Sequence, residues 1–116
     1  MPQTKTANEI VIDTLVAAYN AQDARAFADL FALDAVHGLL HGNALEKSRE
    51  EIYQRYIEVF AMYPGNRTEV VHRIVFGNYV IDHERVTRSN GAEPFDVVAI
   101  NTLEAGLIKR LEFVRA

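Results

Sequence analysis

The sequence predicts an α+β domain, with three helices in its first half followed by an antiparallel sheet. Three observations carry this. Up to about residue 63 the apolar residues recur at helical spacing, and beyond Asn66 they recur at every second position. Asn90-Gly91, the strongest dipeptide signal for a two-residue hairpin, lies between two runs rich in β-branched residues.

Within residues 8–20, Ile12, Leu15, Val16 and Tyr19 form one helical stripe. Asp23 is placed to cap a second, shorter helix whose inward side is Phe27, Leu30 and Phe31. Residues 34–47 carry two glycines and mixed signals, and read as a short strand and a loop. Ser48-Arg49-Glu50-Glu51 is a capping box, so a third helix starts there. Its stripe is Ile52, Tyr56, Val59, Phe60 and Tyr63, and Pro64-Gly65 stops it. Strands are predicted over 68–76, 79–88, 93–103 and 107–115, with turn residues between them. With 116 residues and no repeat, linker or low-complexity segment, residues 1–116 are expected to form a single domain.

Composition narrows the function classes. Apolar residues at 49% and charged residues at 24% suit a packed core and exclude a disordered chain. Twelve Lys and Arg against sixteen Asp and Glu give a net charge of -4, so neither nucleic acid nor an anionic membrane is an expected partner. The absence of cysteine excludes disulfides, thiolate metal sites and a cysteine nucleophile. Residues 1–9 lack the apolar stretch of a signal peptide, and no apolar run is long enough to span a membrane. A cytoplasmic location is the expectation.

Particular segments make the fold more specific. "LVAAYNAQDARAFADLFALDAV" (15–36) and "SREEIYQRY" (48–56) resemble the opening of the nuclear transport factor 2-like superfamily, and "GLIKRLEFV" (106–114) resembles its closing strand. The resemblance covers residues 8–115 and points within the superfamily to SnoaL-like and ketosteroid-isomerase-like proteins. It implies a cone-shaped, cystatin-like fold in which helices pack on a strongly curved antiparallel sheet. Such cones host isomerases, cyclases, dehydratases and non-enzymatic subunits alike, so the fold leaves the activity open. Ketosteroid isomerase works through an Asp base and an oxyanion hole made of a Tyr and a protonated Asp. Aligned on the shared motifs, those three positions are Leu15 for the Tyr, Leu39 for the base and Ala99 for the protonated Asp. All three are apolar here, so isomerisation of a Δ5-3-ketosteroid by that mechanism is not expected.

Turn lengths set the register of the strands. A two-residue turn at Asn90-Gly91 pairs Glu84 with Val97 and Asp82 with Ala99, and one at Gly77-Asn78 puts Asp82 opposite Arg73. Because side chains alternate, Asp82, Glu84, Val97, Ala99, Leu111 and Phe113 then share one face. The resemblance makes that face the lining of the cone, with Tyr19, Tyr56 and Phe60 completing its walls. Asp82 and Glu84 are the candidate catalytic acids, since a carboxyl group in apolar surroundings titrates nearer neutrality. Asp82 alternatively serves as the ion-pair partner of Arg73, whereas Glu84 has no cation expected on its face. Arg73 and His41, the latter near the rim and suited to proton transfer, join Tyr19, Tyr56, Phe60, Val97, Ala99, Leu111 and Phe113 as candidate ligand contacts.

His37 and His41 are four apart but separated by a glycine, match no zinc signature and lack an evident third ligand, so neither a metal nor a cofactor is expected. On the opposite face His72 and His83 pair across strands beside Arg85 and Asp96, among Val70, Ile74, Ile81, Val98 and Ile100. That mixture reads as a subunit interface, and a homodimer is the expected assembly. Two functions fit these features. One is cofactor-free acid–base chemistry of the isomerase, dehydratase or cyclase type on a hydrophobic small molecule; the other is a module that binds such a ligand, or dimerises, without turnover.

Overall fold

Each helix begins at a side-chain cap. Thr6 accepts from the backbone N–H of Glu9, Asp23 from that of Ala26 and Ser48 from that of Glu51, each satisfying a donor that has no partner within its helix. In the computed structural model, which describes residues 4–116, these caps open α1 (Ala7–Asn20), α2 (Ala24–Ala28) and α3 (Arg49–Met62). The strands are β1 (Phe31–Leu39), β2 (Ala44–Glu46), β3 (Arg67–Phe76), β4 (Tyr79–Thr87), β5 (Phe95–Glu104) and β6 (Leu107–Arg115). No helix among the described residues is long and apolar enough to cross a membrane.

The region between α2 and α3 departs most from the reading of the sequence. The second helix stops at Ala28, and Phe31 reaches the core as the first residue of a strand. Residues 34–47 are not a short strand and loop: β1 runs nine residues, and the turn after it leads into β2. All six strands form one curved sheet, ordered β2-β1-β6-β5-β4-β3. Every neighbouring pair is antiparallel except β1 with β6, which is parallel because the chain crosses from one to the other through most of the fold.

The predicted register holds across the last four strands. Asp82 lies opposite Arg73 on one side and Ala99 on the other, and Glu84 lies opposite Val97. The Asn90-Gly91 hairpin is wider than expected, however. Ala92 N–H donates to the Ser89 carbonyl, but the ladder closes only at Val86 and Phe95, since Pro94 has no N–H to donate. A β-bulge at Val70–His72 gives a second correction. It brings Val70 opposite Glu84, on the side of Thr68, and so removes it from the outer face where it was expected.

The core lies between the helices and the inner face of the sheet. Ile12, Leu15 and Ala18 of α1 and Ile52, Tyr56 and Phe60 of α3 pack with Phe27 and Phe31 over Val80, Ala99, Leu103, Ile108 and Leu111. Two polar ties seat α1 on the sheet. Asn20 donates to the Thr68 carbonyl at 3.0 Å and accepts its N–H at 2.7 Å, as a neighbouring strand would. Arg73, 13% exposed, grips the buried Asp82 with Nε at 2.6 Å and Nη2 at 2.9 Å and reaches Asp13 of α1 at 2.6 Å.

Candidate functional site

Alternation along β4, β5 and β6 decides what the inner face presents, from the closed end of the cone to its mouth. On β4 the order is Asp82, Glu84, Val86 and then Arg88 just past the strand; on β5 it runs from Ala99 through Val97 to Phe95; on β6 it is Leu111, Phe113 and Arg115. Apart from Asp82, all of these side chains line a cavity of about 210 Å³ that α1 and α3 cover with Leu15, Val16, Tyr19, Tyr56 and Val59. The lining is dominated by apolar and aromatic groups, with a few polar ones at set positions.

Glu84 is the carboxyl group of that lining with no basic partner at hydrogen-bond distance. Its Oε1 accepts from the Thr68 hydroxyl at 2.9 Å. Burial is the main influence and favours the neutral acid; the Thr68 hydrogen bond and Arg73 oppose it, and the neighbouring charge of Asp82 adds to it. The result is a carboxyl group pushed up from 4.5 to about 7, poised to hold or release a proton near neutrality.

A second group stands on the cavity wall. His37 of β1 faces inward, with Nδ1 2.6 Å from Glu46 Oε1 of β2 and Nε2 2.8 Å from the hydroxyl of Tyr56 on α3. All three residues line the cavity. Glu46 orients the imidazole with its proton on Nδ1, which leaves Nε2 to accept the Tyr56 hydroxyl proton. Burial raises the Tyr56 pKa well above its ordinary value, so the phenol stays protonated. Tyr19 is also raised by burial, against the opposing effects of the Asn66 amide that donates to its hydroxyl and of the Arg88 guanidinium.

Several expected site residues lie elsewhere. Asp82 has the right face but the wrong depth: it is 0% exposed, does not line the cavity, and spends both oxygens on Arg73 beneath α1. Arg73 is correspondingly held in that ion pair, with Asp13 and Glu9 beside it, and lines no part of the cavity. His41 sits exposed in the turn after β1 with φ 62°, away from the rim where it was expected. Phe60 packs behind the wall against Tyr19, its ring centroid 5.6 Å away. Tyr19, Tyr56, Val97, Ala99, Leu111 and Phe113 are on the lining as expected. The pairing of His37 with Glu46 and Tyr56 escaped the reading of the sequence, because it depends on β1 and β2 lying antiparallel with His37 opposite Glu46. An alternating reading of Phe31, Ala35 and His37 would have placed His37 inward. Among the described residues no group of three or more His, Asp or Glu gathers as a metal site.

With this geometry established, residues 12–111 match the model of the SnoaL-like domain. The chain belongs to the SnoaL-like domain family. A cystatin-fold protein from Novosphingobium aromaticivorans is similar to this SnoaL-like domain at 32% identity and a TM-score of 0.88, over 96% of this chain and 100% of that one. A protein from Jannaschia, provisionally assigned as a SnoaL-like polyketide cyclase, superposes with a TM-score of 0.80 at 16% identity, over 97% of this chain and 90% of its own. A protein of ketosteroid-isomerase-like fold from Catenulispora acidiphila, solved in complex with trimethylamine, superposes with a TM-score of 0.78 at 14% identity, over 91% and 85% of the two chains. The last two show likeness of fold alone. No curated protein matches the sequence. Leu15, Leu39 and Ala99, aligned with the three ketosteroid isomerase positions, all line the cavity of this SnoaL-like domain, so its wall is apolar at each of them.

Proposed function

We propose that this SnoaL-like domain is a cofactor-free acid–base enzyme that moves a proton on a carbon beside a carbonyl group of an apolar small molecule. The observation that carries the reading is Glu84, a carboxyl group shifted to about 7 inside an apolar cavity with only a hydroxyl to bond it. As the carboxylate it takes the proton from carbon, and as the acid it returns a proton at another position, giving isomerisation, elimination or ring closure. Tyr56 is the group suited to the carbonyl oxygen: with a ketone in the cavity its single hydroxyl proton turns from His37 Nε2 to the developing oxyanion, and His37, held by Glu46, keeps the phenol in place until then.

Hydrogen–deuterium exchange of 2-tetralone in D2O tests this without knowledge of the natural substrate. The wild-type protein is expected to accelerate exchange next to the carbonyl, and Glu84→Gln to lower that acceleration by roughly 10²- to 10⁴-fold. Binding of the ketone with no acceleration, or equal acceleration by the variant, leaves the domain as a ligand-binding module. A Δ5-3-ketosteroid is expected not to be isomerised, since the base and both oxyanion donors of that reaction are replaced by Leu39, Leu15 and Ala99.

We further propose that the outer face of the sheet is covered by a second copy of this chain. Three cross-strand rows, His72–His83–Val98–Val114, Ile74–Ile81–Ile100–Glu112 and Phe76–Tyr79–Thr102–Arg110, make a patch in which Phe76 is 76% and Ile74 52% exposed. Its rim carries both signs, with His83 and Arg85 on Asp96 and Arg110 near Glu112, so the same surface can face itself across a two-fold axis. Sedimentation at micromolar concentration is expected to give twice 13.1 kDa, and Ile74→Arg to give the single chain. A wild-type protein that stays monomeric contradicts this assembly.

A further inference from the structure

We infer that the cavity takes a carboxylate, an apolar acid of one or two rings whose charged end sits at the mouth between Arg88 and Arg115. The inference rests on the reading of the cavity as a ligand site and adds the class of ligand. Both guanidinium groups flank the ring of Phe95, Arg88 at 5.1 Å and Arg115 at 4.9 Å from its centre, and Arg88 also lies 4.4 Å from the centre of Tyr63. Neither arginine has a carboxylate partner among the described residues, although the chain as a whole carries a net charge of -4. The two carboxyl groups on the lining are otherwise engaged, Glu84 by Thr68 and Glu46 by His37.

Contact with the Phe95 ring gathers the two planar cations at the mouth, where guanidinium N–H groups that bond no carboxylate of this chain meet one from a ligand. The strand register gives the length of the ligand. Arg115, Val97 and Glu84 stand in one cross-strand row, so the backbone at Arg115 lies two strand spacings, about 10 Å, from that at Glu84. A carboxylate held at the mouth therefore places the far side of a one- or two-ring body at Glu84. Its charge stays away from the acid whose proton the reaction uses.

Calorimetric titration with 2-naphthoate and with 2-naphthamide, which share a shape and differ in charge, tests the assignment. The acid is expected to bind about tenfold or more tightly than the amide at low ionic strength. The double variant R88Q/R115Q is expected to bring the acid down to the affinity of the amide. R85Q, which removes a cation from the outer face, is expected to keep the preference. Equal binding of acid and amide by the wild-type protein overturns the anionic class and leaves the cavity as a ligand site. A preference that survives R88Q/R115Q overturns the assignment to these arginines, and binding of neither probe overturns both the inference and the reading beneath it.

Discussion

Asp82→Asn is expected to lower the unfolding free energy by about 3–5 kcal/mol, the largest effect of any single substitution considered for this domain. The carboxylate is fully buried, and Arg73 holds both of its oxygens from the facing position on β3. The same guanidinium reaches Asp13, which Lys5 also engages at 2.6 Å, so the pair anchors the first helix to the sheet. An amide at residue 82 keeps the volume but leaves a guanidinium, 13% exposed, facing a neutral group whose NH₂ has no acceptor. Against a total of roughly 5–15 kcal/mol for a domain of this size, such a loss is large. The double change R73M/D82L removes both charges together and is expected to recover most of it. Chemical denaturation of the three proteins at pH 7 measures both values. A loss below 1 kcal/mol for Asp82→Asn shows that the pair is not holding the helix.

Glu84→Gln is expected to do the opposite at alkaline pH, stabilising the protein by about 2 kcal/mol at pH 8 while destabilising it by about 1 kcal/mol near pH 4. The sign follows from the direction of the shift. A carboxyl group raised from 4.5 to about 7 on folding makes the native state bind the extra proton between those values. Stability from this group is therefore fully present below pH 4.5 and is lost as the pH rises through 7. The loss amounts to roughly 3 kcal/mol at most, from 1.36 kcal/mol per pKa unit. An amide carries no such penalty, but its NH₂ finds no acceptor in an apolar cavity, which offsets part of the gain. Denaturant midpoints for both proteins across pH 4–8 measure the difference. A stability of the variant relative to wild type that stays constant, or falls, as the pH rises contradicts a titrating acid at residue 84.

The sequence made the lining legible wherever short-range rules determine position. Two tight turns and a two-residue alternation sufficed to place Glu84 opposite Val97 and Asp82 between Arg73 and Ala99, because no irregularity interrupts β4. The bulge that moves Val70 inward carries no glycine or proline to announce it. Depth along the cone was not legible either. Asp82 and Glu84 are two residues apart on one face, and only the packing of α1 over the Arg73 pair separates a structural carboxylate from a titrating one. The Glu46–His37–Tyr56 chain was missed for a different reason. It joins three elements, one of them a strand whose parallel partner, β6, lies some 70 residues further along the chain, and no local spacing encodes that contact.

The central claim is that Glu84 is a half-buried cavity acid poised near neutrality, and titration of its carboxyl carbon by NMR in the free protein tests it most directly. A midpoint near 7 for the Glu84 resonance, assigned by its loss in Glu84→Gln, is the predicted result. A midpoint at the ordinary value of about 4.3 for glutamate contradicts the account and removes the acid–base chemistry proposed for the cavity.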